Sequence, residues 1–457
     1  MAESVLQTPS TVPTLARSQR LAWGVLLVSF AVFCVICVVS VIGAYLFMFE
    51  SVIPMQSLLR VGRGTAVVVG ADMIEQGVRV GMELFNSALI STDPISQATL
   101  TIHDQQRDNT VVALVTLKSG SAVDMTNVTR PRFDWSTAAY WVDLESVYGD
   151  LDIFIPDNLG RSVVITLRTT QGVSVWLTES GQYAIQAIGS QVQVSNNGGS
   201  AVIVKPGQQE SSRVPIGYRV TYQIDTDSLT TTPARVNLLG DRSFTTANVT
   251  DYNAVEPVAS SLTWRCNSVE NDAPEGNYAL AVEDGRASVQ FLRNGGATSH
   301  AETSCSIAFG RNGLDVSHLS YLSIRATFKI NGHSLSTCGS RGSECPLMLR
   351  MDYFPLQPTF SETGQPELVS WYHGFFSTFK PELEYPLICD SAGCTAHEIV
   401  NEDTWYTYES GNLLSDLTPQ QRPSAITVVR FYASGHEYDV DVSEMALLAN
   451  GVEIPAG

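Results

Sequence analysis

Basic residues are scarce in this 457-residue chain: 27 Lys and Arg stand against 46 Asp and Glu, for a net charge of −19. That sign repels phosphate backbones and anionic headgroups, which excludes nucleic acid as a partner. Charge of both signs together is only 16% of the chain against 44% hydrophobic residues, so this is not a disordered acidic tail. Enzyme signatures are missing too. "HEIVN" at His397 stops short of H-E-x-x-H, and "GHSLS" at Gly332 departs from G-x-S-x-G. "GRG" at Gly62 opens no helix and there is no P-loop, so a nucleotide site is not expected. Acid pairs occur by composition and none stands out as a glycosidase dyad. These absences predict a chain that is not an enzyme.

What is present begins with an uncharged run. "LAWGVLLVSFAVFCVICVVSVIGAYLFMF", Leu21 to Phe49, holds 29 residues without a charge. As a helix it would span roughly 43 Å at ~1.5 Å per residue, more than the ~30 Å of a bilayer core. The apolar part of a signal peptide is usually about 7–15 residues. The run therefore predicts a membrane anchor at 21–49, with the lipid bilayer as partner and Trp23 and Tyr45 near the interfaces. Arg17 and Arg20 precede it, and no basic residue follows until Arg60. The positive-inside rule then makes 1–20 a cytoplasmic tail and puts the rest, 25 basic against 45 acidic residues, outside the plasma membrane.

No cysteine lies between Cys37 and Cys266. Cys34 and Cys37 fall inside the span. The other six, Cys266, Cys305, Cys338, Cys345, Cys389 and Cys394, are an even set in an exported region, which reads as disulfides. Six cysteines allow 15 pairings. Proximity favours Cys338–Cys345 and Cys389–Cys394, leaving Cys266 with Cys305. The rival is a metal site of Cys389, Cys394 and His397, whose spacing matches usual zinc sites poorly.

After a juxtamembrane link at 50–63 the pattern becomes period-2. Ala98, Leu100 and Ile102 alternate with Thr99, Thr101 and His103, and Leu151, Ile153 and Ile155 alternate with Asp152 and Phe154. Short Val- and Ile-rich runs bounded by Gly, Asn and Pro predict strands, and "NNGG" at Asn196–Gly199 predicts a hairpin turn. The expectation is an all-β domain at 64–212. Its runs "VRVGMELFNSALISTDPISQATLTIHD" and "GSQVQVSNNGGSAVIVKPGQQ" resemble the extracytoplasmic domain of the FecR family. The family's usual G-T-x-F strand is here "SGQY", Ser180 to Tyr183. The resemblance implies a fold and a location. The short stretch before the span speaks against holding a sigma factor.

Residues 213–259 are rich in Thr, Asp, Asn and Pro and are expected to be a linker. A second β domain is expected at 260–452. "GLDVSHLSYLSIRATFKI", "NEDTWYTYESGNL" and "ITVVRFYASGHEYDVDVSEMALL" resemble the galactose-binding-like jelly roll of many carbohydrate-binding modules. The predicted fold class is therefore mainly β: one transmembrane helix, a FecR-like β domain and a jelly-roll β-sandwich.

The ring-rich stretch is "SWYHGFFSTF" at 370–379. On a strand, Trp371, His373 and Phe375 share one face and Tyr372, Gly374 and Phe376 the other. One reading is an inner strand, with one face in the core and the other under a loop. The other is a surface that stacks on sugar rings through Trp371 or Tyr372 with His373 beside them. Such a site needs convergent polar groups, and the candidates are Arg350, Asp352, His397, Glu409, His436 and Glu437. Asp439, Asp441 and Glu444 are candidate ligands of a structural calcium ion, which the jelly-roll resemblance implies. Two N-x-T sequons sit at Asn127 and Asn248. Three readings stand: a membrane-anchored binding or structural protein that takes a glycan or surface protein on its sandwich; a FecR-like relay of an envelope signal; and a hydrolase of surface polysaccharide.

Overall fold

The computed structural model describes residues 14–84, 87–208, 210–240, 243–251, 263–270 and 273–450. Most of the expected tail, residues 252–259 of the expected linker and the start of the second domain at 260–262 lie outside these. Among the described residues, those of 14–53 with 130–139 form one unit, and those of 54–129 with 140–450 form another.

In the first unit the helix Thr14–Tyr45 runs on into a π-turn, Leu46–Glu50. From Gln19 to Glu50 it is long and apolar enough to cross a bilayer, and its apolar stretch is wholly exposed. A helix apolar all round has no polar face to turn to water, so only lipid or other protein can cover it.

The second unit is mainly β and holds two bodies. In the first, the strand Tyr140–Ile155 belongs to two sheets. Its start pairs with Ala122–Pro131 and in parallel with Val163–Thr169. Its end pairs with Thr110–Leu117 and Gly181–Ile188. The handover falls at Gly149, where φ is +90° and a Cβ would stand within 3 Å of Ser121, so only glycine fits. Leu151, Ile153 and Ile155 point into the core between the sheets, as their alternation predicts. Thr99, Thr101 and His103, the polar residues of that alternation, are buried as well. Their face is covered by the second body: Thr99 Oγ1 donates to the Trp405 carbonyl at 3.3 Å.

The linker expected at 213–259 is corrected in part. Tyr218–Gln223 and Ser228–Pro233 are strands that extend a sheet of the first body through Gln191–Asn196. Ser228–Pro233 is mostly exposed, so its sequence shows little alternation.

The second body is a two-sheet sandwich. One sheet carries Asn277–Glu283, Arg286–Arg293, Tyr438–Ala449, Leu322–His333 and Tyr406–Glu409 in that order. The other carries Trp264–Glu270, Ala301–Ala308, Pro423–Gly435, Leu347–Pro355 and Val369–Phe376. Rings fill the space between: Phe328 and Phe375 stand 4.5 Å apart, and Trp264 meets Phe431 edge-on at 5.0 Å. The disulfides are Cys266–Cys305, Cys338–Cys345 and Cys389–Cys394, the pairing that proximity favours.

The two bodies are joined by polar contacts. Gln97 and Thr407 exchange two hydrogen bonds, of 2.9 and 2.8 Å. Asn401 Nδ2 donates to the carbonyls of Val61 and Arg79. A cleft of about 320 Å³ lies between them, lined by Lys118, Asp152, Gln186, Arg219, Arg325 and Glu409 among others.

Candidate ligand-binding face

The strand Val369–Phe376 settles the two readings of the ring-rich stretch by its alternation. Trp371, His373 and Phe375 face the core; Trp371 is 2% exposed and His373 4%. His373 stacks on Tyr408 at 4.4 Å. Thr395 Oγ1 donates to the Tyr372 carbonyl and accepts from His373 Nδ1 at 2.7 Å. Burial pushes the His373 ring down to about 3, so it is neutral. Trp371 and His373 are thus core residues, not an open platform.

On the opposite face Phe376 is covered, together with Met348 and Tyr432, by the Cys338–Cys345 loop. Gly374 lies under His397. A Cβ there would come within 2.3 Å of Cys345 Sγ and 2.8 Å of His397 Nδ1. The His397 ring accepts the Gly374 N–H at Nδ1, 2.9 Å, and meets the Gly342 carbonyl with Nε2, 2.7 Å. Both ring nitrogens are therefore used by backbone. His397 stands beside both nearby disulfides, with its Nε2 3.9 Å from Cys394 Sγ. With the sulfurs paired and the ring engaged, the rival metal reading loses its ligands.

Tyr372 looks outward into a polar row. Across the sheet Arg430 lies opposite Arg350, and Arg350 opposite Tyr372. The Arg350 guanidinium sits over the Tyr372 ring at 5.3 Å, and that of Arg430 over Tyr432 at 5.0 Å. Arg350 Nε donates to Asp352 Oδ1 at 2.7 Å, and Ser370 Oγ donates to the same oxygen at 2.6 Å. Arg430 pairs with Glu302 and donates to Ser304 Oγ at 3.0 Å. Burial works to lower the Arg350 pKa, but its bond to Asp352 outweighs that and holds the guanidinium above its ordinary value. Burial pushes the Tyr432 phenol up. Each cation is matched by a carboxylate. The face is therefore electrically balanced and rich in donors, acceptors and ring surface.

Of the residues named from sequence, Arg350, Asp352 and Tyr372 come together here. His436 and Glu437 do not: they form the turn between Pro423–Gly435 and Tyr438–Ala449. Asp439, Asp441 and Glu444 lie on Tyr438–Ala449, in the other sheet. Asn331 Nδ2 donates to Asp439 and Asp441 at 3.1 and 2.8 Å, and Glu444 faces Arg325 at 3.4 Å. Donor side chains thus occupy the oxygens expected for calcium, and Glu444 is turned toward an arginine. Burial raises the Asp441 carboxyl. Glu409 is held by Arg235 at the cleft between the bodies. Sequence reading missed Arg430, Tyr432 and Glu302. The alternation in "ITVVRFYA" marks Arg430 and Tyr432 as one face, while nothing local marks Glu302.

No protein-family model matches the chain, and no curated protein matches it. Among solved structures it is similar to a protein assigned as an anti-sigma factor from Parabacteroides distasonis, at 15% identity and a TM-score of 0.22, over 32% of this chain. The match spans 59% of that protein's length. It is also similar to the family 11 carbohydrate-binding module of a cellulosomal cellulase of Clostridium thermocellum, at 12% identity and a TM-score of 0.23. That match covers 49% of this chain and 98% of the module. The module in complex with a β-1,3-1,4-mixed-linked tetrasaccharide matches at 13% identity and a TM-score of 0.22, over 44% of this chain and 95% of its own.

Proposed function

We propose that the chain is a single-pass membrane protein that displays a non-catalytic glycan-binding face outside the plasma membrane. The helix Thr14–Tyr45 anchors it, with the N-terminus cytoplasmic as the flanking arginines predict. The three disulfides suit an oxidising exterior. The ligand lies on the outer face built by Arg350, Asp352, Tyr372 and Arg430.

The observation that carries this reading is the row Arg430–Arg350–Tyr372 with both guanidiniums already balanced by Asp352 and Glu302. A neutral polyhydroxylated chain suits such a face. Its hydroxyls can exchange hydrogen bonds with fixed donors and acceptors, and its apolar ring faces can lie on Tyr372. An anionic polymer would meet a chain of net charge −19 with no uncompensated cation in the row. The non-catalytic reading is supported by the carboxylates of the cleft between the bodies. Asp152, Glu409 and Glu444 each face an arginine, so none of the three stands unpaired toward the cleft as a general acid would.

The test is binding of the full chain in detergent to an array of neutral and acidic polysaccharides. Tyr372→Ala and Arg350→Met should each weaken binding about tenfold or more, the loss of one stacked or bidentate contact. Failure to bind any neutral glycan, or binding indifferent to both substitutions, sinks the proposal.

A further inference from the structure

The segment "RPRFDWSTAA", residues 130–139, belongs to the same unit as the apolar helix and packs on its end. Phe133 meets Phe47 edge-on at 5.6 Å and stacks on Trp135 at 4.6 Å. Arg132 lies over the Phe47 ring at 5.5 Å. The last carbonyls of a helix have no partner within it. Here Ser136 Oγ donates to the Phe49 carbonyl at 2.6 Å, and the Arg132 N–H donates to the Ser51 carbonyl at 2.9 Å. The segment therefore closes the helix end with hydrogen bonds, which water cannot do within lipid.

Its surface is unusual for a loop facing water. Trp135 is 57% exposed, and Arg132 is exposed next to it. Asp134 is paired with the buried Arg130, which cancels its charge. Its depth follows from the helix. Phe47 lies 24 residues beyond Trp23. That separation is about 36 Å of helix, slightly more than the ~30 Å hydrocarbon core, so rings packed on Phe47 sit at its outer boundary. Aromatic and arginine side chains favour that boundary, with the ring in the interface and the cation among phosphates.

We propose that residues 130–139 are a second membrane contact, a loop that seats Phe133 and Trp135 in the headgroup boundary of the outer leaflet beside the helix. The inference rests on the reading of the helix as an anchor. It is tested by nitroxide labels on the full chain, with Cys34 and Cys37 replaced by Ser, reconstituted in phosphatidylcholine vesicles. One label is placed by Thr137→Cys in the loop and another by Ile42→Cys in the span. Accessibility to oxygen against a water-soluble nickel chelate reads their depth. The expected result is a deep label at 42 and a boundary label at 137. Trp135→Ser with Phe133→Ser should shift label 137 into water, while Trp135→Tyr should leave it in place. A deep label 42 with label 137 in water overturns the loop contact and leaves the anchor standing. Both labels in water overturn the anchor and the loop together.

Discussion

Arg325 of the sandwich reaches Asp152 of the first β body, with 3.0 Å between Nη2 and Oδ2. Lys118 holds the same carboxylate at 2.9 Å, and Arg325 Nε faces Glu444 at 3.4 Å. Burial alone would raise the Asp152 pKa, but Arg325 and Lys118 outweigh it and hold the carboxyl below its ordinary 3.8. Arg325→Met removes the cation that Asp152 and Glu444 share, leaving Asp152 to Lys118 alone. It should cost about 3–5 kcal/mol in urea unfolding, and adding Asp152→Asn should return part of that loss. A folded pKa below the unfolded one means that the Asp152 contribution is complete above pH 3.8 and drains as the pH falls further. A wild-type and D152N difference that persists unchanged in that acid range would refute the pairing.

Three buried histidines impose a second pH dependence. Burial pushes His333 down to about 4 and His373 to about 3, and it lowers His397 as well. Each ring is neutral when folded and takes a proton on unfolding below its ordinary 6.5. The unfolded state binds more protons, so stability falls with pH by ~1.4 kcal/mol per unit for each fully titrated ring. Melting temperature should drop steadily from pH 6.5 toward 4. His373→Gln should show a shallower slope, and an equal slope would contradict the burial.

Trp371 and Tyr372 are neighbours with opposite duties. Trp371→Ala removes a fully packed ring and should cost about 3–5 kcal/mol. Tyr372→Ala takes a half-exposed ring off Arg350 and should cost far less stability while weakening glycan binding. Chemical denaturation and affinity measured on both variants separate the two effects. Equal losses of stability would mean that the two faces have been exchanged.

The disulfides should not be equivalent. Cys266–Cys305 closes a loop of 39 residues, against 7 for Cys338–Cys345 and 5 for Cys389–Cys394. Loop entropy assigns about 4 kcal/mol to the longest and roughly 2 to each of the shorter ones. Replacing Cys266 and Cys305 together by Ala should lower the denaturation midpoint the most. A larger loss from removing Cys389–Cys394 would show that local packing around His397 outweighs the loop term.

Much of this protein is written locally in its sequence. Twenty-nine uncharged residues suffice for an apolar helix, because helix formation needs only neighbours three and four apart. Period-2 runs such as "YGDLDIFIP" yield strands with the correct face inward, because a strand alternates whatever its partner is. Cysteines 5 and 7 residues apart pair because short loops bring them together. What covers each face is a separate matter, and distant chain decides it. The alternation of Trp371 and Tyr372 was plain, but which of them met the core depended on Phe328, Tyr408 and the opposing sheet. Thr99 and Thr101 look like a wetted face and are buried because the second body lies on them. Glu302 joins Arg430 only through the pairing of Ala301–Ala308 with Pro423–Gly435. Strand pairing and the docking of two β bodies rest on contacts between residues far apart in the chain, and no window of sequence carries that information.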